Sequence, residues 1–265
     1  MLLSHVLYTP MHSMIDQSLH AKMGAEPTNG DGFGIGWYDD AGPVPGVFRS
    51  TEPAWNDQNL REISGHVTSR LFFAHLRAAI GSAVQQSNCH PFRRDRRLWM
   101  HNGFIDGYRQ IKRDLVLAID ESLFPEIAGT TDSELLFYTA LTFGLEQDPP
   151  AAVARAIGLV EQLGRARGIE NPFQGTIATS DGETLWAFRY SSAGRSRSLY
   201  FNRTVPELRK LYPSREILQE ASDDARLVVS EPIGDLPGAW EEMPEATYAV
   251  VRAGEDQLLP FVPMP

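Results

Sequence analysis

The sequence predicts an α+β fold of two sheets with helices on their outer faces. Three observations carry this. Strand-like stretches come first, helical ones gather in the middle, and strands return in the last third. The elements do not alternate strand by helix, as a wound parallel sheet would require. Hydrophobic residues make up 42% of 265 residues, enough to cover a sizeable core between such layers.

The elements follow in order. Strands are expected at "GFGIGWY" (32–38) and "GVFRS" (46–50), joined by the hairpin loop "AGPVPG" (41–46). A helix runs through "NDQNLREISGHV" (56–67), and strands follow at 70–77 and 97–103. Helices are expected over 107–119, 132–147 and 151–167, the last with apolar residues at helical spacing. Strands then cover 173–180, 184–191, 198–202, 226–232 and 247–254, with "SDGE" (180–183) as a hairpin turn. No repeat, low-complexity tract or clear linker interrupts the chain, so a single domain over 1–265 is expected.

Composition excludes several classes. The net charge of −10 repels phosphate backbones, so no nucleic-acid partner is expected. No apolar run approaches the roughly 18 residues of a membrane span. The opening "MLLSHVLYTPMHSMI" lacks a basic segment and a small-residue cleavage site, so no signal peptide is expected. A single cysteine, Cys89, allows no intrachain disulfide and fits a reducing cytoplasm. All seven histidines fall at or before residue 101, but no pair has H-x-H or H-E-x-x-H spacing. Neither metal nor cofactor is therefore expected. "TNGDGFGIGWY" (28–38) has four glycines, yet they alternate along a strand instead of opening a helix, so a dinucleotide site is rejected. Such glycines imply close approach of a backbone or a ligand.

Four stretches could carry chemistry. "FFAHLRAA" sets Arg77 in an apolar run, where it either forms a structural salt bridge or grips a substrate carboxylate. "MHNGFI" holds His101, Asn102 and Gly103: a common turn, or an oxyanion hole made of an amide and a backbone N–H. "GTTDSE" fits a capping box of Thr131 and Glu134; Asp132 either complements the helix end or receives a substrate ammonium. "SNCHPF" sets Cys89 beside His90, but neighbours in an extended chain point to opposite faces, so a small buried thiol is the better reading.

Together, the ordered set "NGDGFGIGWY", "AHLRAA", "SNCHPF", "MHNGFI", "TDSE" resembles the class II glutamine amidotransferases. "HSMIDQS" and "SEPIGD" narrow the resemblance to the stand-alone YafJ-type branch, which includes the γ-glutamyl hydrolase of ergothioneine synthesis. Each motif is weak alone; the order is specific and covers nearly the whole chain. The resemblance implies an Ntn-hydrolase fold, an αββα sandwich of two antiparallel sheets. It implies a small-molecule substrate, glutamine or a γ-glutamyl compound, attacked by an N-terminal cysteine whose own α-amine is the base. It also implies roles: Arg77 for the substrate α-carboxylate, Asp132 for its α-ammonium, and Asn102 and Gly103 for the oxyanion. Asn29, Gly30 and Asp31 would line the pocket, with His101 at its border.

The chain departs from this pattern at its start. By the family's register, roughly a dozen residues carrying the nucleophile and its strand are expected before Met1. Three readings follow: an active enzyme whose start lies upstream, a paralogue that binds γ-glutamyl ligands without turnover, or different chemistry using the histidines. With no second domain expected, the activity is either hydrolysis or ammonia supply to a separate synthase.

Overall fold

A computed structural model of the chain describes every residue except Ala25, Ile80 and Glu255. The first sheet contains β1 (Phe33–Tyr38), β2 (Gly46–Ser50) and β3 (Leu71–Leu76), in the order β2-β1-β3. The later strands are β4 (Phe92–Arg94), β5 (Arg97–Ile105), β6 (Phe173–Ser180), β7 (Leu185–Ser191), β8 (Tyr200–Asn202), β9 (Val228–Val229), β10 (Trp240–Glu242), β11 (Thr247–Val251) and β12 (Gln257–Pro260). Six of them form the second sheet, β12-β11-β7-β6-β5-β4, and a small sheet has the order β10-β8-β9. Every pairing is antiparallel.

Helices α1 (Ser4–Leu7), α2 (Met14–Leu19) and α3 (Gln58–His66) flank the first sheet, where Leu3, Leu7 and Leu60 pack on Phe33 and Ile35. Helices α4 (Tyr108–Ala118), α5 (Asp132–Thr142) and α6 (Pro149–Ala166) cover the six-stranded sheet, packing Phe137, Ile157 and Leu115 on Trp99, Phe173 and Phe188. Each such large buried side chain contributes about 1.5–3 kcal/mol of transfer free energy. Between the sheets lie Tyr38, Phe73 and Leu98. The layers are therefore helix, sheet, sheet, helix, as expected. Two more short helices, α7 (Val205–Leu211) and α8 (Glu216–Glu220), follow β8. Among the described residues no helix is long and apolar enough to cross a membrane.

The strand glycines have a packing cause. A Cβ on Gly34 would meet the His90 carbonyl oxygen at 2.1 Å, and one on Gly36 would meet Pro91 at 2.8 Å. The backbone that approaches β1 is thus the 90–91 segment of the chain itself.

Some boundaries differ from expectation. Helix α5 ends at Thr142, not 147, because the Phe143 N–H turns to Thr139 and Ala140 and Gly144 takes a positive φ of 90°. Thr131 caps α5, accepting from Glu134 N at 3.2 Å, but the Glu134 carboxylate reaches Ala128 and Gly129 N–H instead of closing the box. The strand expected over 226–232 shrinks to Val228–Val229. Helix α2 escapes a periodicity reading because six residues do not complete two turns; its sign is local, a reciprocal cap between Ser13 and Asp16.

Candidate active site

A cavity of about 350 Å³ opens between the end of β3 and the inner face of β5 and β6. Asn29, Arg77, His101, Asn102, Gly103 and Asp132 all contribute to its lining, although they come from four separate stretches of chain.

Register explains the β5 contribution. Asn102 is opposite Thr176, and His101 opposite Ile177, so the two neighbours take opposite faces. The Asn102 side chain faces the cavity and makes no hydrogen bond to protein among the described residues. His101 turns toward the helical layer, stacks on Phe173 at 5.6 Å, and its Nδ1 lies 2.9 Å from Ser133 Oγ. Gly103 tolerates no side chain: a Cβ would meet Gln174 O at 2.1 Å and His101 Nε2 at 2.8 Å. Burial lowers the pKa of His101, which favours its neutral form.

Arg77 is 5% exposed. Its guanidinium donates to Asp31 O (3.1 Å), Ser82 Oγ (2.8 Å) and Ala83 O (3.0 Å), all neutral oxygens. Among the described residues no ion pair reaches it, so the structural salt bridge considered above does not form. Buried arginine without a counterion is costly, and its charge is available to the cavity. Asp132 sits at the first turn of α5. Its Oδ2 accepts from Ile105 N (2.8 Å) and its Oδ1 from Ser133 N (2.8 Å), which ties the helix start to the end of β5.

Gly30 and Asp31 do not line the cavity. Gly30 packs under Trp55, where a Cβ would meet the ring at 2.8 Å. Asp31 braces the Arg77 segment instead, its Oδ2 accepting from Ala79 N at 2.7 Å and its N–H bonding to Arg77 O at 2.9 Å. Of that stretch, Asn29 alone reaches the lining.

Cys89 is fully buried and is not part of the lining. Its thiol contacts Ser50 O (3.4 Å) and Gln85 O (3.7 Å), and burial raises its pKa. Its neighbour His90 turns away to stack near His75, ring centroids 4.3 Å apart. Burial holds His75 down to about 4 and His90 well below its usual range, so both are neutral near pH 7. Among the described residues no three His, Cys, Asp or Glu side chains gather as a metal site requires.

Lining residues that the sequence reading missed include Gln17, Arg197 and Glu231. They come from short or irregular segments where periodicity gives no signal. The capping pattern around "HSMIDQS" could have revealed Gln17; nothing local marks Arg197.

Comparison with known proteins identifies the family. Residues 2–263 match the family described as glutamine amidotransferases class-II. The chain is 30% identical to the probable glutamine amidotransferase DUG3 of Saccharomyces cerevisiae, covering 98% of this chain and 81% of that one. A solved structure of a glutamine aminotransferase class-II domain protein from Silicibacter pomeroyi is 37% identical with a TM-score of 0.73, covering 88% of this chain and 92% of that one. The glutamine phosphoribosylpyrophosphate amidotransferase of B. subtilis shares the fold at 13% identity and a TM-score of 0.60, over 94% of this chain and 45% of that one. With the fold, the motif order and the family match in agreement, the chain belongs to the class II glutamine amidotransferases.

Proposed function

We propose that this cavity hydrolyses a γ-glutamyl amide, glutamine or a γ-glutamyl conjugate, through a thioester on an N-terminal cysteine outside the 265 residues. The observation that carries this reading is the unpaired Asn102 amide beside the Gly103 N–H on the cavity wall. Two such donors suit the negative charge that develops on a carbonyl oxygen under attack. Arg77 would hold the substrate α-carboxylate and Asp132 its α-ammonium, with Asn29 and His101 bordering the glutamyl chain.

The chemistry balances as follows. The cysteine α-amine, with an ordinary pKa of about 7.7–8.0, takes the thiol proton. The thiolate forms a C–S bond at the γ-carbonyl carbon and the carbonyl electrons move onto oxygen. Collapse breaks the C–N bond, and the proton goes to the departing amine. Water then cleaves the thioester, giving glutamate and the free thiol. With glutamine the amine is ammonia, which a separate synthase would capture; with a conjugate, hydrolysis is the whole reaction. A reducing cytoplasm suits a thiol nucleophile.

Two further observations support an external nucleophile. Cys89 is enclosed, as described. In addition, β3 is an edge strand among the described residues, and its C-terminal end leads into the cavity at Ala74–Ala78. The Met1 nitrogen lies at the other end of β3, 3.1 Å from Ser69 O. A segment leading into Met1 along that open edge would span about 20 Å and begin beside Arg77. The competing reading, γ-glutamyl binding without turnover, rests on the burial of the only cysteine. The test is glutamate release from glutamine and γ-glutamyl amides by protein isolated from its own host. Turnover is expected; saturable binding with no release would favour the competing reading.

A further inference from the structure

We propose that Glu231 is a positioning residue for this cavity: its carboxylate fixes the wall that carries Ala21, Met23 and Gly24, and substrate affinity depends on that wall being held. The proposal concerns two motifs that the reaction leaves without a role, "HSMIDQS" and "SEPIGD". Their residues His12 and Glu231 are 219 positions apart in the chain, yet they touch at one side of the cavity.

Glu231 lies two residues beyond β9 and is 6% exposed. Both of its carboxylate oxygens are engaged. Oε1 lies 2.5 Å from His12 Nε2 and accepts from the Lys22 N–H at 3.1 Å. Oε2 accepts from the Lys22 N–H at 3.0 Å and from the Met23 N–H at 2.9 Å. Hydrogen bonds to an ionised acceptor are roughly twice as strong as neutral ones. With its oxygens committed to protein donors, this carboxylate acts on substrate through what it holds.

The support behind the carboxylate is independent of the wall in front of it. Gln17, from α2, donates through Nε2 to His12 O (3.3 Å) and Pro232 O (3.2 Å). Ser198 donates to Ser230 O at 2.8 Å, and Trp240 Nε1 to Ile233 O at 3.2 Å. The 230–233 backbone is therefore tied to the fold with or without the Glu231 side chain. On the other side the dependence is complete. Among the described residues, Lys22 and Met23 make no hydrogen bond except those to Glu231.

Ala21, Met23 and Gly24 line the cavity, as does Asn29 further along. Lys22, Met23 and Gly24 are exposed, so no apolar burial holds them in place of the missing bonds. A segment held this way can open locally while the rest of the fold stays closed. A ligand that meets a loosened wall must order it on binding, which weakens affinity before it touches the chemistry.

The experiment is limited trypsin digestion of protein from its own host and of Glu231→Gln made in the same host, with the cuts located by mass. The Lys22–Met23 bond lies in the backbone that Glu231 holds, and its cleavage rate follows the fraction of molecules in which that backbone is free. Glu231→Gln keeps the side-chain shape and removes the charge. Cleavage at Lys22 should rise roughly tenfold or more, while cleavage after Arg113 in α4 keeps its unaltered rate. His12 has a φ of 52°, a conformation that asparagine tolerates, so His12→Asn should give a smaller rise at Lys22. Unchanged cleavage at Lys22, or an equal rise at Arg113, overturns the assignment. A kinetic measurement rests in addition on the reading of the cavity as a γ-glutamyl site. With glutamine, Glu231→Gln should raise KM by a larger factor than it lowers kcat; a fall in kcat at unchanged KM overturns the positioning role. If the unaltered protein releases no glutamate, the γ-glutamyl reading fails, and the digestion still decides whether Glu231 holds the wall.

Discussion

Segments 87–92 and 100–105 carry similar residues, a histidine and an asparagine near a small reactive or flexible neighbour, and they meet different fates. In the first, Asn88 bonds to Thr130 and Ala83, Cys89 is sealed under Ser50, and the His90 carbonyl presses on Gly34. In the second, Asn102 makes no side-chain hydrogen bond among the described residues and lines the cavity, while His101 turns to the helical side and pairs with Ser133. Residues 88–92 are buried, whereas in the second segment Asn102 and Gly103 are half-buried and Phe104 is exposed. What separates them is the asparagine: both border the cavity, but the Asn88 amide is taken up by Ala83 and Thr130, whereas the Asn102 amide makes no hydrogen bond to protein among the described residues.

The two segments should answer to substitution differently, the second in activity and the first in stability. The largest effect is expected at Asn102: Asn102→Ala should lower kcat by on the order of 10²–10³ with glutamine or a γ-glutamyl amide. A normal kcat would remove the oxyanion role. Arg77→Ala should cost on the order of 10² in kcat/KM, because a buried charge pair with the substrate carboxylate is lost; normal hydrolysis of glutamine would show that the carboxylate is held elsewhere.

The first segment should respond in stability instead. Gly34→Ala forces a methyl against the His90 carbonyl and should destabilise the fold by about 1–3 kcal/mol, read from the denaturant midpoint. An unchanged midpoint would mean that the 90–91 backbone can move away freely.

A pH effect comes next. The His75 pKa is held at about 4, below its ordinary 6.5, so the unfolded chain takes up this proton first as pH falls. The associated stability is present above pH 6.5 and is lost as pH drops from 6.5 toward 4; His90 and His101, also depressed, act in the same direction. Thermal melts should show Tm falling by several degrees over that window, and His75→Asn should flatten the slope. A Tm that rises on acidification would contradict the burial of these rings. The smallest effect is expected at Cys89: Cys89→Ala should cost about 1 kcal/mol of stability and leave kcat/KM unchanged.

Much of the architecture was legible in sequence because its signals are local. The apolar alternation of β1 and the Thr131 cap of α5 each depend on residues within a few positions. The site was legible only in part. Arg77, Asn102 and Asp132 stood out as polar residues in apolar strands or at a helix start. Asp31 had the same appearance, yet it faces away from the cavity and braces Arg77 and Ala79. Which side of a loop a carboxylate takes depends on packing from β3, which local spacing does not encode. Arg197 gave no signal because it sits in an irregular segment whose position is set by Glu245 and Ser230, both more than thirty residues away.

The most direct test is to treat protein from its own host with a glutamine-like diazoketone, then measure its intact mass and map the adduct. The proposed function predicts one adduct, on an N-terminal cysteine outside the 265 residues, with Cys89 unmodified. An adduct on Cys89, or on one of the histidines, would contradict it.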